Sequence, residues 1–149
     1  LGLVVNRPMN LTMGDVLAQM ELEPGRQELA SQPILQGGPV QPERGFVLHE
    51  SEAEYASTLE VADGVRITTS RDILEALADG TGPERCLFAL GYAGWGEGQL
   101  ESEMSANAWL TVPGSTDILF ATPLADRWRR AAETIGVDIT ALSSGAGHA

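Results

Sequence analysis

One cysteine, two histidines and a scarcity of basic side chains are the first things this 149-residue sequence withholds. With Cys86 alone, no intrachain disulfide can form. Its flank, Leu87-Phe-Ala-Leu90, marks it as a core thiol on a buried strand, in a protein expected in a reducing compartment. No apolar run reaches the roughly 18 residues that a membrane span needs, and no signal-peptide pattern is present. Cytoplasmic residence without a membrane partner is the expectation. Nine basic residues against 21 acidic ones leave a formal net charge of −12. A field of that sign repels phosphate backbones and anionic lipid heads. The only dense basic group, Arg127, Arg129 and Arg130, is flanked by Asp126 and Glu133. Direct nucleic-acid binding is therefore disfavoured. The chemical signatures of HExxH zinc enzymes, of nucleophile elbows, of Gly-Lys-Ser/Thr phosphate loops and of cysteine metal sites are all missing. No catalytic residue and no cofactor are assigned, and the expectation tilts away from an enzyme.

What is there reads as one domain over residues 1–149. Leu1–Asn6 has the look of a buried strand ended by Asn6-Arg7-Pro8. Thr12 caps a helix carrying Met13, Val16, Leu17 and Met20, which Glu23-Pro-Gly25 stops. A polar stretch leads to the turn Gly37-Gly-Pro-Val40 and a strand over Gly45–His49. Leu59 and Val61, then Val65 and Ile67, alternate around Asp63-Gly64, which predicts a hairpin. Thr69 or Ser70 starts a helix with Ile73, Leu74 and Leu77, closed by Gly80 and Gly82. Cys86–Leu90 is a buried strand. A helix from about Gln99 is predicted to bury Leu100, Met104 and Ala108, and Asp117–Thr122 a short strand or buried segment. Pro123 opens a last helix with Leu124, Trp128, Ala131 and Ile135 on its core face, ended by Gly136. The fold class is α+β: a mixed sheet with a hairpin, flanked by about four helices in a layered sandwich.

Gly91 to Glu103 is the most unusual stretch, with Gly91, Gly94, Gly96 and Gly98 interleaved with Tyr92, Trp95 and Glu97. A glycine-rich strand-to-helix turn can offer backbone N–H groups to an anion. The spacing here is GxGxG rather than GxGxxG, and Glu97, Glu101 and Glu103 stand where a phosphate would sit. Glu97 and Glu101, four apart, are weak candidates for a hard divalent cation, with solvated carboxylates the plainer alternative. His49, beside Glu50, Ser51 and Glu52, is either a general base or an ordinary surface histidine at a strand end. His148 lies near the chain end. Trp128 belongs to a core stripe, Trp95 is the aromatic candidate for a pocket wall or partner contact, and spacing leaves Trp109 open.

Taken in order, Gly2-Leu-Val-Val-Asn-Arg-Pro8, Gly37-Gly-Pro-Val40, Gly45-Phe-Val-Leu-His49, Leu90-Gly-Tyr-Ala-Gly-Trp-Gly-Glu-Gly-Gln-Leu-Glu101, Asn107-Ala-Trp109 and Asp117-Ile-Leu-Phe120 resemble the YqgE/AlgH family of bacterial proteins. The resemblance spans essentially the whole chain. It implies a bacterial cytosolic protein, a layered sandwich around a mixed sheet, and a family segment preceding Gly2 that this chain lacks. One branch of the family carries the label of a transcriptional regulator connected with alginate production, and the family supplies no agreed catalytic set. The positions Asn6, Arg7, Gly38, His49, Gly91, Trp95, Gly96, Glu101 and Asn107 carry over as candidate cleft or partner-binding residues. The first expectation is a regulator acting indirectly through protein partners. The alternative is a small-ligand- or divalent-metal-binding enzyme built on the Gly91–Glu103 turn. A third is an oligomer that covers Trp95; the sequence names no subunit number.

Overall fold

The computed structural model describes residues 1–141, so the sequence reading of His148 falls outside the described residues. Among the described residues, six strands form one sheet in the order β1-β2-β6-β3-β5-β4. They are β1 (Pro8–Thr12), β2 (Pro33–Gln36), β3 (Val40–His49), β4 (Thr58–Ala62), β5 (Val65–Thr68) and β6 (Cys86–Tyr92). Only β2 and β6 run parallel; the other neighbours are antiparallel. The helices are α1 (Met13–Gln19), α2 (Gln27–Ser31), α3 (Asp72–Asp79), α4 (Gln99–Ser105) and α5 (Arg127–Glu133). This is the expected mixed-sheet α+β architecture.

Both faces of the sheet are covered, by different means. On one, α1, α2 and α3 bury Met13, Leu17, Leu29, Ile73 and Leu77 against Ile34, Val47 and Phe88. On the other, Leu35, Leu48, Leu87 and Ala89 meet half-buried Leu3, Val5, Leu119, Phe120 and Leu124. The second cover comes from the first residues and from the segment before α5, not from a full helical layer.

Local chemistry explains the elements the sequence foretold. Thr12 caps α1 in a reciprocal box: its hydroxyl accepts from the Asp15 amide at 3.2 Å, and the Asp15 carboxylate accepts from the Thr12 amide at 2.9 Å. The hairpin closes with Ala62 opposite Val65, leaving Asp63-Gly64 as a two-residue loop in which Gly64 has φ 75°. Gly80, at φ 85°, ends α3 in the left-handed region.

Elsewhere the structure corrects the sequence reading. Leu1–Asn6 is extended but joins the sheet only through a bridge between Gly2 and Ala93 and a Val4 N–H donated to the Gly37 carbonyl. Its apolar side chains pack onto the sheet face, and the ladder strand begins at Pro8, where the reading had placed an end. Proline without an N–H is tolerated there because β1 is an edge. The polar stretch before Gly37 holds α2 and β2, with only Leu29, Ile34 and Leu35 as apolar anchors, too few to show a period. Arg71, not Thr69 or Ser70, sits at the start of α3 and gives no side-chain cap. The Asp117–Ala121 segment is a π-helical turn rather than a strand. In α4 no side chain is buried, and Met104 and Ala108 face solvent. In α5 the buried positions are Arg127 and Ala132, while Ile135 is exposed. Leu124, Trp128 and Ala131 of the expected stripe are half-buried, and Arg127 is buried beside them because its guanidinium donates to the carbonyls of Thr122, at 3.2 Å, and Val5.

The strand pair β3–β6 is irregular near Gly91, where a register shift lies between Val40 and Gly45. Here two backbones touch. A methyl on Gly38 would lie 2.1 Å from the Tyr92 carbonyl carbon, and one on Gly91 (φ 76°) would lie 2.4 Å from the Gly38 oxygen. We expect Gly38→Ala to cost about 3 kcal/mol or more, because overpacking typically costs 1–3 kcal/mol and backbone cannot yield as side chains do. At Gly94 a methyl would meet nothing closer than 3.6 Å, so Gly94→Ala should stay within about 0.5 kcal/mol of the parent. Urea melts of the two variants check the contrast.

Candidate functional site

The glycine–tryptophan turn is a packed corner. Gly2 lies under the Trp95 indole, where a methyl would come within 2.9 Å of the ring. The Trp95 indole N–H donates to Glu103 Oε2 at 3.1 Å, and the Trp109 N–H to the same oxygen at 2.8 Å. Gln99 donates its amide to Glu103 Oε1 at 3.2 Å and accepts from the Gly96 N–H at 3.0 Å. The two indoles meet edge to face, 5.9 Å between centroids. Three donors on one carboxylate hold Glu103 below the usual carboxylate range, the Trp109 bond contributing most. Helix α4 thus owes its position to a polar clasp rather than a buried face.

Of the candidates, Gly38, Gly91 and Trp95 meet at this corner, and Gly96 contributes only an amide to it. Glu97 and Glu101 point outward and are exposed; among the described residues no group of three metal-ligating side chains forms. Asn107 follows α4 with φ 57°, its amide donating to the Met104 carbonyl. Asn6 and Arg7 lie away at the β1 edge, where the Arg7 carbonyl accepts from the Gln36 amide. The hub of the corner is Glu103, which the sequence reading placed only among the acidic groups of the turn. Its spacing to Trp95 and Trp109, on opposite sides of one short helix, was the available signal.

His49 is neither at the surface nor in the corner. It is fully buried, with Nε2 2.8 Å from the Thr68 hydroxyl, which is 2.9 Å from that of Thr58. Tyr55 packs edge-on against the imidazole at 5.8 Å. Nδ1 has no partner among the described residues. Burial lowers the His49 pKa, and the Arg66 charge adds to that, so the ring is held neutral. The same burial pushes the Cys86 thiol up to about 11, leaving it an unreactive core group.

An open concavity lies on the second sheet face, a groove of about 860 Å³. Phe46, Leu48, Val65 and Ile67 floor it, and Leu1 and Leu59 stand at its rim, 68% and 67% exposed. Residues of three strands and both flanking segments contribute, which is why no single stretch announced it.

The AlgH-like family model matches residues 1–140. A UPF0301 protein of Saccharophagus degradans is 53% identical over 149 residues, which is all of this chain and 73% of that protein. One from Xanthomonas euvesicatoria is 54% identical, with 79% of its length covered. The solution structure of the AlgH protein from Pseudomonas aeruginosa superposes with a TM-score of 0.76 at 48% identity, covering 99% of this chain and 78% of that one.

Two outcomes are expected. Glu103→Ala should red-shift tryptophan emission and speed amide exchange across α4, whereas Glu101→Ala should leave both unchanged. For His49, the folded pKa lies below the unfolded value near 6.5, so the unfolded chain binds the extra proton. Stability should then fall as pH drops below about 6.5. Asp15, Asp72 and Glu103, whose pKa values are lowered on folding, add their losses only further down, as the pH drops below about 4. Urea melts from pH 8 to 5 should lose their slope in His49→Gln.

Proposed function

This chain belongs to the AlgH-like family, and we propose that it acts as a docking protein that regulates transcription indirectly, through a protein partner held on the sheet. The carrying observation is the open apolar groove beside Leu59 and Val61, the latter 47% exposed. Exposed apolar side chains at the rim of an open groove give a partner apolar anchors to bury. The formal charge of −12 disfavours a phosphate backbone as the direct target. The regulator label on one branch of the family supports the transcriptional part, and the lone free thiol at Cys86 supports a cytoplasmic setting.

The groove also keeps a small-ligand reading as the second one, since about 860 Å³ lies within the roughly 300–1,000 Å³ of ligand pockets. It moves that reading from the Gly91–Glu103 turn to the sheet face.

The purified protein should leave duplex DNA unretarded at physiological salt. A photo-crosslinking residue at Val61 should trap a discrete protein adduct in bacterial cells, and Leu59→Asp should remove it. Tight DNA binding would contradict the indirect mechanism, and an adduct insensitive to Leu59→Asp would take the groove out of it. A metabolite panel in thermal melts separates the ligand reading: saturation at 100 times Kd stabilises by about 2.7 kcal/mol.

A further inference from the structure

The sheet has two edges, and they are not alike. β1 begins at Pro8, shows a register irregularity against β2, and leads directly into α1. Proline and irregular pairing both blunt an edge. Among the described residues β4 pairs with β5 alone and ends the sheet order, in regular register over Thr58, Leu59 and Glu60 and with an irregularity between Glu60 and Ala62. Its sequence, Thr58-Leu-Glu-Val-Ala62, carries no proline and a single charge. Four of its five residues are exposed. Among the described residues nothing pairs the outer N–H and C=O groups of β4, an accessible, β-competent edge beside the groove.

The two faces of that edge differ in chemistry. Leu59 is in register with Ile67, and Ile67 with Leu48, so this row looks into the groove. Glu60 is in register with Arg66 and His49, on the other face. There Glu60 joins Glu50, Glu52 and Asp63 around a shallow hollow. The Arg66 guanidinium in that hollow is engaged with the Ser51 carbonyl at 2.5 Å, and Arg85 offsets Glu50 at 3.2 Å. Acidic groups remain in excess.

We propose that β4 is a strand-addition site for an extended partner segment in which apolar residues alternate with lysine or arginine. Successive side chains of an added strand point to opposite faces. One set would fill the groove beside Leu59 and Val61, and the other would meet Glu60, Glu52 and Asp63. Main-chain hydrogen bonds to the open edge would fix the register. A second copy of this chain is a poorer occupant, because antiparallel self-pairing centred on β4 sets Glu60 against its own copy, and like charges directly opposite are destabilising. The proposal rests on the docking reading above and specifies its partner.

The test uses three fluorescein-labelled nine-residue peptides at physiological salt: alternating valine and lysine, the same residues sorted into two blocks, and alternating valine and glutamate. Anisotropy should show the alternating valine–lysine peptide binding at least ~tenfold more tightly than either other peptide, with amide shifts centred on Thr58–Ala62. Leu59→Asp should abolish binding. Glu60→Lys, at an exposed position and with the fold checked by circular dichroism, should weaken the valine–lysine peptide and favour the valine–glutamate one. Equal binding of alternating and blocked peptides, or indifference to Glu60→Lys, would overturn the proposal. So would self-association that Leu59→Asp abolishes, or β4 amides already protected in a longer relative, since either assigns the edge to another occupant. If these fail while the Val61 adduct still depends on Leu59, docking stands and only strand addition falls. If the adduct also fails, both readings fall together.

Discussion

The close approach of two backbones, Gly37-Gly38 against Gly91-Tyr92, is the constraint on which the rest of this structure depends. It brings the turn between β2 and β3 onto the end of β6, closer than any Cβ would permit. Both partners of β6 converge there, the parallel strand β2 and the antiparallel strand β3. The chain then leaves β6 at an angle that lets Ala93 bridge Gly2 and lays Trp95 over that glycine. From Trp95 the clasp through Glu103 reaches Trp109 and positions α4, which buries no side chain of its own. Glycines that look in isolation like a ligand cradle are here the means by which a sheet turns a tight corner.

The sheet separates two environments. One face carries the helices and a short polar row, His49, Thr68 and Thr58, whose hydroxyls and imidazole bond to one another. Burial of His49, with the Arg66 charge nearby, makes this row sensitive to protonation. The other face is closed by irregular segments and leaves part of its apolar surface open beside β4.

Arginine carries the whole cationic role: all nine basic residues are arginines. Several are spent on main-chain carbonyls rather than on surface ion pairs. Arg26 reaches Pro83 and Glu84, Arg66 reaches Ser51, and Arg127 joins Val5 to Thr122. The planar, multiply donating guanidinium suits this work where an ammonium would not. Arg127 accepts burial, which lowers its pKa, in exchange for tying the first residues of the chain to the last helix.

Local chemistry was legible in the sequence wherever one short stretch contained all its partners. The Thr12–Asp15 box, the Asp63-Gly64 hairpin, the left-handed Gly80 and the buried Cys86 strand each follow from residues within a few positions of one another. The mixed-sheet class followed from their succession, and the family from the order of motifs along the chain. What only the tertiary structure decided involves partners far apart in sequence. Burial of His49 depends on β5 and the Tyr55 loop; burial of Arg127 depends on a carbonyl 122 residues upstream. Periodicity assigned Met104 and Ile135 to a core because it records where apolar side chains recur, not whether another element arrives to cover them. The groove is the clearest case: it is a space between segments, and no residue of it is distinctive until the sheet is assembled.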